Sequence, residues 1–142
     1  MDTGIRLAVA AVFVWLGMVL AISLVEAPLK FRAPGVTLRI GLGIGRLVFR
    51  ALNVFEYVFA MVIAAALFTH ETSAALNVAL CLAVGALLAQ TIVVRPLLSR
   101  RTSAVLDGGE AGRRSGAHYA YLALELVKVV ALVWTGVVLV GE

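Results

Sequence analysis

One cysteine, two histidines, three prolines and eight acidic residues are all that 142 positions contain of those types. A single Cys81 excludes an intrachain disulfide, and no His/Cys spacing of a metal site is present. Cys81 sits inside an apolar run and reads as a small packing residue. His70 and His118 fall on opposite sides of the apolar segments they flank, so they cannot share one haem or metal. No nucleophile–histidine–carboxylate set is present, since Ser23 has no histidine at its level. Charge is scarce as well, at 14 % of residues. The basic excess of +4 does not read as a nucleic-acid surface, because aromatic residues do not interleave with the basic ones.

Apolar sequence is what the chain has in abundance: 63 % of residues, with a mean hydropathy of +1.06. It falls into four long runs, about residues 5–26, 44–68, 74–94 and 118–140, separated by short polar segments. A helix rises ~1.5 Å per residue, so ~20 apolar residues cross a ~30 Å hydrocarbon core. Helix is the expected form, because backbone polar groups in lipid must be satisfied within the segment. The period of two that a barrel strand requires does not occur. The expectation is an all-α integral membrane four-helix bundle forming a single domain over 1–142. The first run reads as a retained helix. Val25-Glu26-Ala27 fits a signal cleavage site only loosely, and the lone Arg6 is offset by Asp2.

Orientation follows from Lys and Arg. The first connection holds Lys30, Arg32 and Arg39, and the third holds Arg95, Arg100, Arg101, Arg113 and Arg114. The opposite side has Arg6, and Thr69-His70-Glu71-Thr72-Ser73 has no Lys or Arg. The positive-inside rule places loops 27–43 and 95–117 in the cytoplasm and both termini outside, in a bacterial inner membrane. The basic face is expected to attract anionic headgroups.

Pro28 and Pro34 are expected to interrupt helix in the first connection, where Leu29, Lys30, Phe31 and Arg32 mix apolar and basic side chains in an interfacial elbow. Gly41, Gly43 and Gly45 lack the spacing and preceding strand of a dinucleotide site. Gly41 and Gly45 instead form a small-xxx-small pattern suited to close packing. Asp107 to Gly112 reads as a flexible linker.

Charges inside the apolar runs are the candidate site. Each costs ~2.5–3.5 kcal/mol at a membrane helix centre. At 100° per residue, Arg46, Arg50, Asn53 and Tyr57 share a stripe ~60° wide, with Glu56 on its flank. Tyr121, Glu125 and Lys128 share a second face, and Trp134 points away from it. Glu26 closes the first run, and Gln90 lies near the same end of the third. Arg50 lies ~9 Å and Glu56 ~18 Å into the second run, and Glu125 ~10 Å and Lys128 ~15 Å into the fourth. The matched levels predict contacts Arg50–Glu125, Glu56–Lys128 and Arg46–Glu26. Three acids against three bases favour interhelical ion pairs that fix register; the competing view is a polar path for a proton, ion or anionic headgroup.

Ala27-Pro28-Leu29-Lys30-Phe31, followed by Gly45-Arg46-Leu47-Val48-Phe49, resembles the transmembrane-protein-205-like family of small four-helix membrane proteins. The resemblance rests on Pro28, Phe31, Gly45, Arg46 and Phe49. It implies a fold and no agreed activity.

The expected function is non-catalytic: an accessory subunit or homo-oligomer that binds lipid or a larger membrane complex, with no cofactor and no nucleic acid. A small transporter or channel through the charged residues is the alternative. An enzyme acting on a lipid or quinone through Glu56 or Glu125 is third, and no specific residue pattern supports it.

Overall fold

The computed structural model describes residues 2–94 and 116–141. Arg95, Arg100, Arg101, Arg113, Arg114 and the 107–112 linker lie outside the described residues. All described elements are helical. Helix α1 (Thr3–Val19) continues through a π-wound segment (Leu20–Glu26), a short α2 (Ala27–Leu29) and a 3-10 turn (Lys30–Arg32). Helix α3 spans Leu38–Leu67, α4 spans Ala74–Ala89 before a second π-wound segment (Gln90–Val94), and α5 spans Gly116–Val140. Four stretches are long and apolar enough to cross a membrane: Thr3–Arg32, Leu38–Leu67, Ala74–Val93 and Ala120–Val140.

Side-chain caps set three helix starts. Asp2 accepts from the Ile5 amide at 2.9 Å, Thr37 from Ile40 at 3.2 Å and Ser73 from Leu76 at 3.2 Å. Each satisfies one of the backbone donors that a helix start leaves unpaired. The Thr37 cap starts α3 at Leu38, six residues ahead of the expected Ile44. Pro28 does not break the first helix, contrary to expectation. The Ala27 amide bonds back to the Ile22 carbonyl at the end of the π-wound segment. Pro28 then falls in the first turn of renewed α winding, where a missing N–H costs least. The interruption comes instead at residues 33–37, where Pro34 precedes Gly35 at a left-handed φ of 82°.

Core positions repeat at alternating steps of three and four: Ala8, Val12, Trp15 and Val19 on α1, and Leu76, Ala79, Ala83 and Ala86 on α4. On α5 the series is Tyr121, Glu125, Lys128, Leu132, Thr135 and Leu139. That spacing makes a seam along each helix and suits near-parallel bundle packing. Helix α1 packs against both α3 and α5, and α5 packs against α4, whereas α3 and α4 barely touch. Tyr57 on α3 and Thr91 after α4 hydrogen-bond across that side. The Thr91 hydroxyl points its proton at the Leu87 and Leu88 carbonyls, 3.0 and 3.3 Å away, so Tyr57 is the donor to Thr91.

Glycine permits two close approaches in the bundle. A Cβ on Gly4 would stand 2.8 Å from the Ala66 carbonyl oxygen, and one on Gly136 2.7 Å from the Phe13 ring. Gly41 also serves packing, but its neighbour is the elbow and not a second long helix: a Cβ there would collide with the Phe31 ring. Lys30 crosses Gly45 in the same way.

Gly4→Ala is therefore expected to destabilise the bundle by ~1–3 kcal/mol, since backbone must move. Gly17→Ala and Gly85→Ala, which meet nothing within 4 Å, should be neutral or stabilising by up to ~1 kcal/mol. Thermal unfolding of the three variants checks the contrast. At the same end, Asp2 accepts from the Ile5 amide and pairs with His70 at 2.5 Å; these contacts hold its carboxyl below the ordinary value of 3.8. The lowered value means that the contribution is present above 3.8 and is lost as pH falls through the folded-state value. Asp2→Asn should flatten the acid limb of the melting temperature against pH.

Candidate functional site: a buried ion network

Lys128 lies midway along α5, and its ammonium is fully buried. An ammonium out of water needs all three of its donors met. It finds Glu56 Oε1 of α3 at 2.5 Å, Glu125 Oε1 one turn back on α5 at 2.8 Å, and Gln90 Oε1 at 2.8 Å. The Gln90 amide is thereby oriented, because lysine only donates. Its Nε2 donates to Glu125 Oε2 at 3.2 Å and to the Tyr121 carbonyl at 3.3 Å. Trp15 Nε1 of α1 donates to Glu56 Oε1 at 3.0 Å. Side chains from α1, α3, α5 and the start of the second π-wound segment thus meet in one network. Among the described residues two carboxyls face one ammonium in it.

Of the predicted contacts, Glu56–Lys128 is present. Arg50–Glu125 is not: Glu125 is held by Lys128 and Gln90, and Arg50 is exposed. The cause is angular. The interior face of α3 centres on Glu56, and Leu52, Ile63 and Leu67 lie within ~40° of it. Asn53 is ~60° away and buried, Arg46 ~80° away and half-buried, and Arg50 ~120° away and exposed. The Arg46–Arg50 stripe therefore does not mark the interior.

Glu26 lies at the elbow, 3.9 Å from Lys30, which takes the place expected of Arg46. Lys30 Nζ also lies 5.5 Å from the Phe31 ring centre and 5.8 Å from that of Phe49. Phe49 meets Tyr121 edge-on, with ring centres 5.8 Å apart. The elbow is thus a cation–aromatic stack that folds back onto α3. Pro28, Phe31, Gly45, Arg46 and Phe49 all fall on the elbow or the adjoining part of α3. Tyr57 contacts Thr91, apart from the ion network. Trp134 is exposed, as its helical angle predicts.

Trp15 and Thr91 escaped the sequence reading. Thr91 has no signal of its own. Trp15 has one: it stands in the middle of a charge-free run, away from the ends where tryptophan is enriched in membrane helices. Among the described residues no group of three His, Cys, Asp or Glu is placed to hold a metal. A groove of about 760 Å³ runs along α4 and α5, lined by Ala75, Val78, Leu82, Val130, Ala131 and Trp134.

No protein-family model, curated protein or solved structure matches this chain.

Removing one partner from a buried ion pair costs ~3–5 kcal/mol, because the other charge is stranded. Lys128→Met is expected to destabilise the fold by that amount. Adding Glu56→Gln and Glu125→Gln should recover most of the loss. Chemical unfolding of the single and triple variants checks this.

Proposed function

We propose that this chain is a small non-catalytic integral membrane protein, whose buried ion network locks four helices while its outer faces bind lipid or a membrane partner. The observation that carries the reading is the enclosure of Lys128: its buried ammonium stands 2.5–2.8 Å from Glu56, Glu125 and Gln90, side chains of three different helical segments. A buried ion network that joins several helices fixes their register. The surface supports the same reading, because Leu47, Met61, Phe68, Val78, Val130 and Val137 are each more than half exposed, and water would oppose such a surface. The α4–α5 groove is apolar and edged by alanines, which suits a helix of a second copy or of a larger complex.

The proposed orientation puts the elbow in the cytoplasm of a bacterial cell and both termini outside. Lys30, Arg32 and Arg39 stand at one end, whereas Arg6 at the other is accompanied by Asp2 and Glu71. The buried charges of Glu56, Glu125 and Lys128 favour a second reading, a small transporter in which a proton or cation enters when the network opens.

Native mass spectrometry of the protein released gently from its membrane tests the first reading. A homo-oligomer or a complex with another membrane polypeptide is the expected result, and Val130→Arg in the groove should dissociate it. A monomer whose Glu56→Gln form folds but loses ion flux in proteoliposomes would favour transport instead.

A further inference from the structure

The interior of the bundle differs in kind on the two sides of the Glu56–Lys128 contact. Away from the elbow the buried side chains are apolar: Ala8, Val12, Ile63, Leu76, Leu132 and Leu139. Thr135 is the exception among the described residues, and its hydroxyl donates to the Ala131 carbonyl of its own helix. Toward the elbow, polar groups are interleaved with apolar ones such as Val19 and Leu52. Asn53, Gln90 and Tyr121 are buried there, and Ser23, Glu26, Lys30 and Arg46 are half-buried. Ser23 Oγ and Glu26 Oε2 are buried oxygens one turn apart that make no hydrogen bond among the described residues, and Lys30 Nζ stands 3.9 Å from the second. Buried polar atoms of this kind are normally met by water.

Depth orders these residues, given the membrane reading proposed above. Lys128 lies midway along α5 and contacts Glu56, which sets their level near the bilayer middle. Toward the elbow, Asn53 and Glu125 stand ~4.5 Å from that level, Tyr121 ~10 Å and Arg46 ~15 Å. Trp15 donates to Glu56, and counted from it Ser23 stands ~12 Å and Glu26 ~16 Å on the same side. Polar groups thus follow one another at steps of ~6 Å or less out to the ~15 Å half-thickness of the hydrocarbon. A lock on helix register needs the network alone. A polar track that runs from it to one boundary is the pattern that lines an aqueous cavity in a membrane protein. Two rings cross the track. Phe49 and Tyr121 share one level, each ~10 Å from the network, and meet edge-on with ring centres 5.8 Å apart. Lys30 Nζ of the elbow lies 5.8 Å from the Phe49 ring, and on the network side the Tyr121 carbonyl accepts from Gln90. Beyond the rings Glu56, Gln90 and Lys128 are fully buried.

We propose that the elbow half of the bundle is a water path that begins at Glu26 and Ser23 and ends at the ion network, with the Phe49–Tyr121 ring pair as its gate. The apolar half seals the network from the opposite side. Water is the occupant that the Ser23 and Glu26 oxygens select, since each can accept a hydrogen bond from it. The path rests on the membrane reading, and it holds whether the network is a static lock or a carrier of protons.

The test places single cysteines in the full-length protein, with C81A as background, and exposes both sides of its membranes to sulfonatoethyl methanethiosulfonate, an anion that does not cross bilayers. S23C and A8C form a mirrored pair, ~12 and ~10 Å from Trp15 on opposite sides, and N53C and V12C a deeper one, each ~4.5 Å from the network level. Thiols react as thiolates, which form where water reaches them, so S23C should be modified roughly ten-fold or more faster than A8C. F49A should raise the rate at N53C by a similar factor and leave V12C unchanged. Comparable rates at S23C and A8C, whether slow or fast, overturn the path. A rate at N53C that F49A does not change overturns the gate. If F49A also speeds V12C, the bundle has loosened as a whole, and F49L decides: a faster N53C with V12C unchanged upholds the gate, and an unchanged N53C overturns it. Rapid modification of V130C, on the exposed apolar surface, would instead overturn the membrane reading itself.

Discussion

Every helix of the bundle is tied to one ammonium group. Lys128 reaches Glu56 on α3 and Gln90 beyond α4 directly, holds Glu125 on its own helix, and reaches Trp15 of α1 through Glu56. Burial makes this arrangement demanding, because a charge out of water is tolerated only where its partners are complete. The contacts are 2.5 to 3.0 Å long, so a small slip of any helix along its axis breaks one. Apolar side chains impose no such limit. Leucines and alanines along a seam accept several registers with similar contact, whereas an ion network accepts one.

The rest of the packing is arranged around that point. The α5 seam that carries Glu125 and Lys128 continues with Leu132, Thr135 and Leu139, and Thr135 returns its hydroxyl to the Ala131 carbonyl at 2.7 Å. Helix α1 is the centre of the apolar contacts, and Trp15 on it joins the ion network to the core. The thinly packed side between α3 and α4 is crossed by Tyr57 and Thr91. Gln90 and Thr91 both sit where α4 passes into π winding. A π turn shifts the direction of the side chains that follow it. At this place Gln90 points into the network and the Thr91 hydroxyl donates to the Leu87 and Leu88 carbonyls.

The helical class and four apolar helices were legible in the sequence, because long charge-free runs leave little else. The Glu56–Lys128 contact was legible too, since depth along a helix is simply the count of residues multiplied by the rise. Azimuth was harder to read. On α3 the arginines, Asn53 and Tyr57 form a plausible interior stripe, yet the interior centres on Glu56 and leaves Arg50 outside. Arg50 is exposed and Asn53 buried within one stripe, so polar residues alone mislead about which way α3 turns. The expectation failed at Pro28, though not at Pro34, for a related reason: winding other than the α form cannot be read from residue spacing, and it moved Pro28 to a tolerated position. Trp15 was hidden because an indole looks apolar until a carboxylate is found beside its N–H.

The pairing of Glu56 with Lys128 also has a consequence in time. Glu56 leaves the ribosome about 70 residues before Lys128, which at ~5–20 residues per second is a wait of several seconds. During that interval Trp15, already synthesised, can donate to Glu56, but the cation is missing. The first three helices are therefore an unfinished assembly, and the last one acts as the keystone of biosynthesis. A chain stopped before residue 128 would present an acidic group in the middle of an apolar helix before its cation exists.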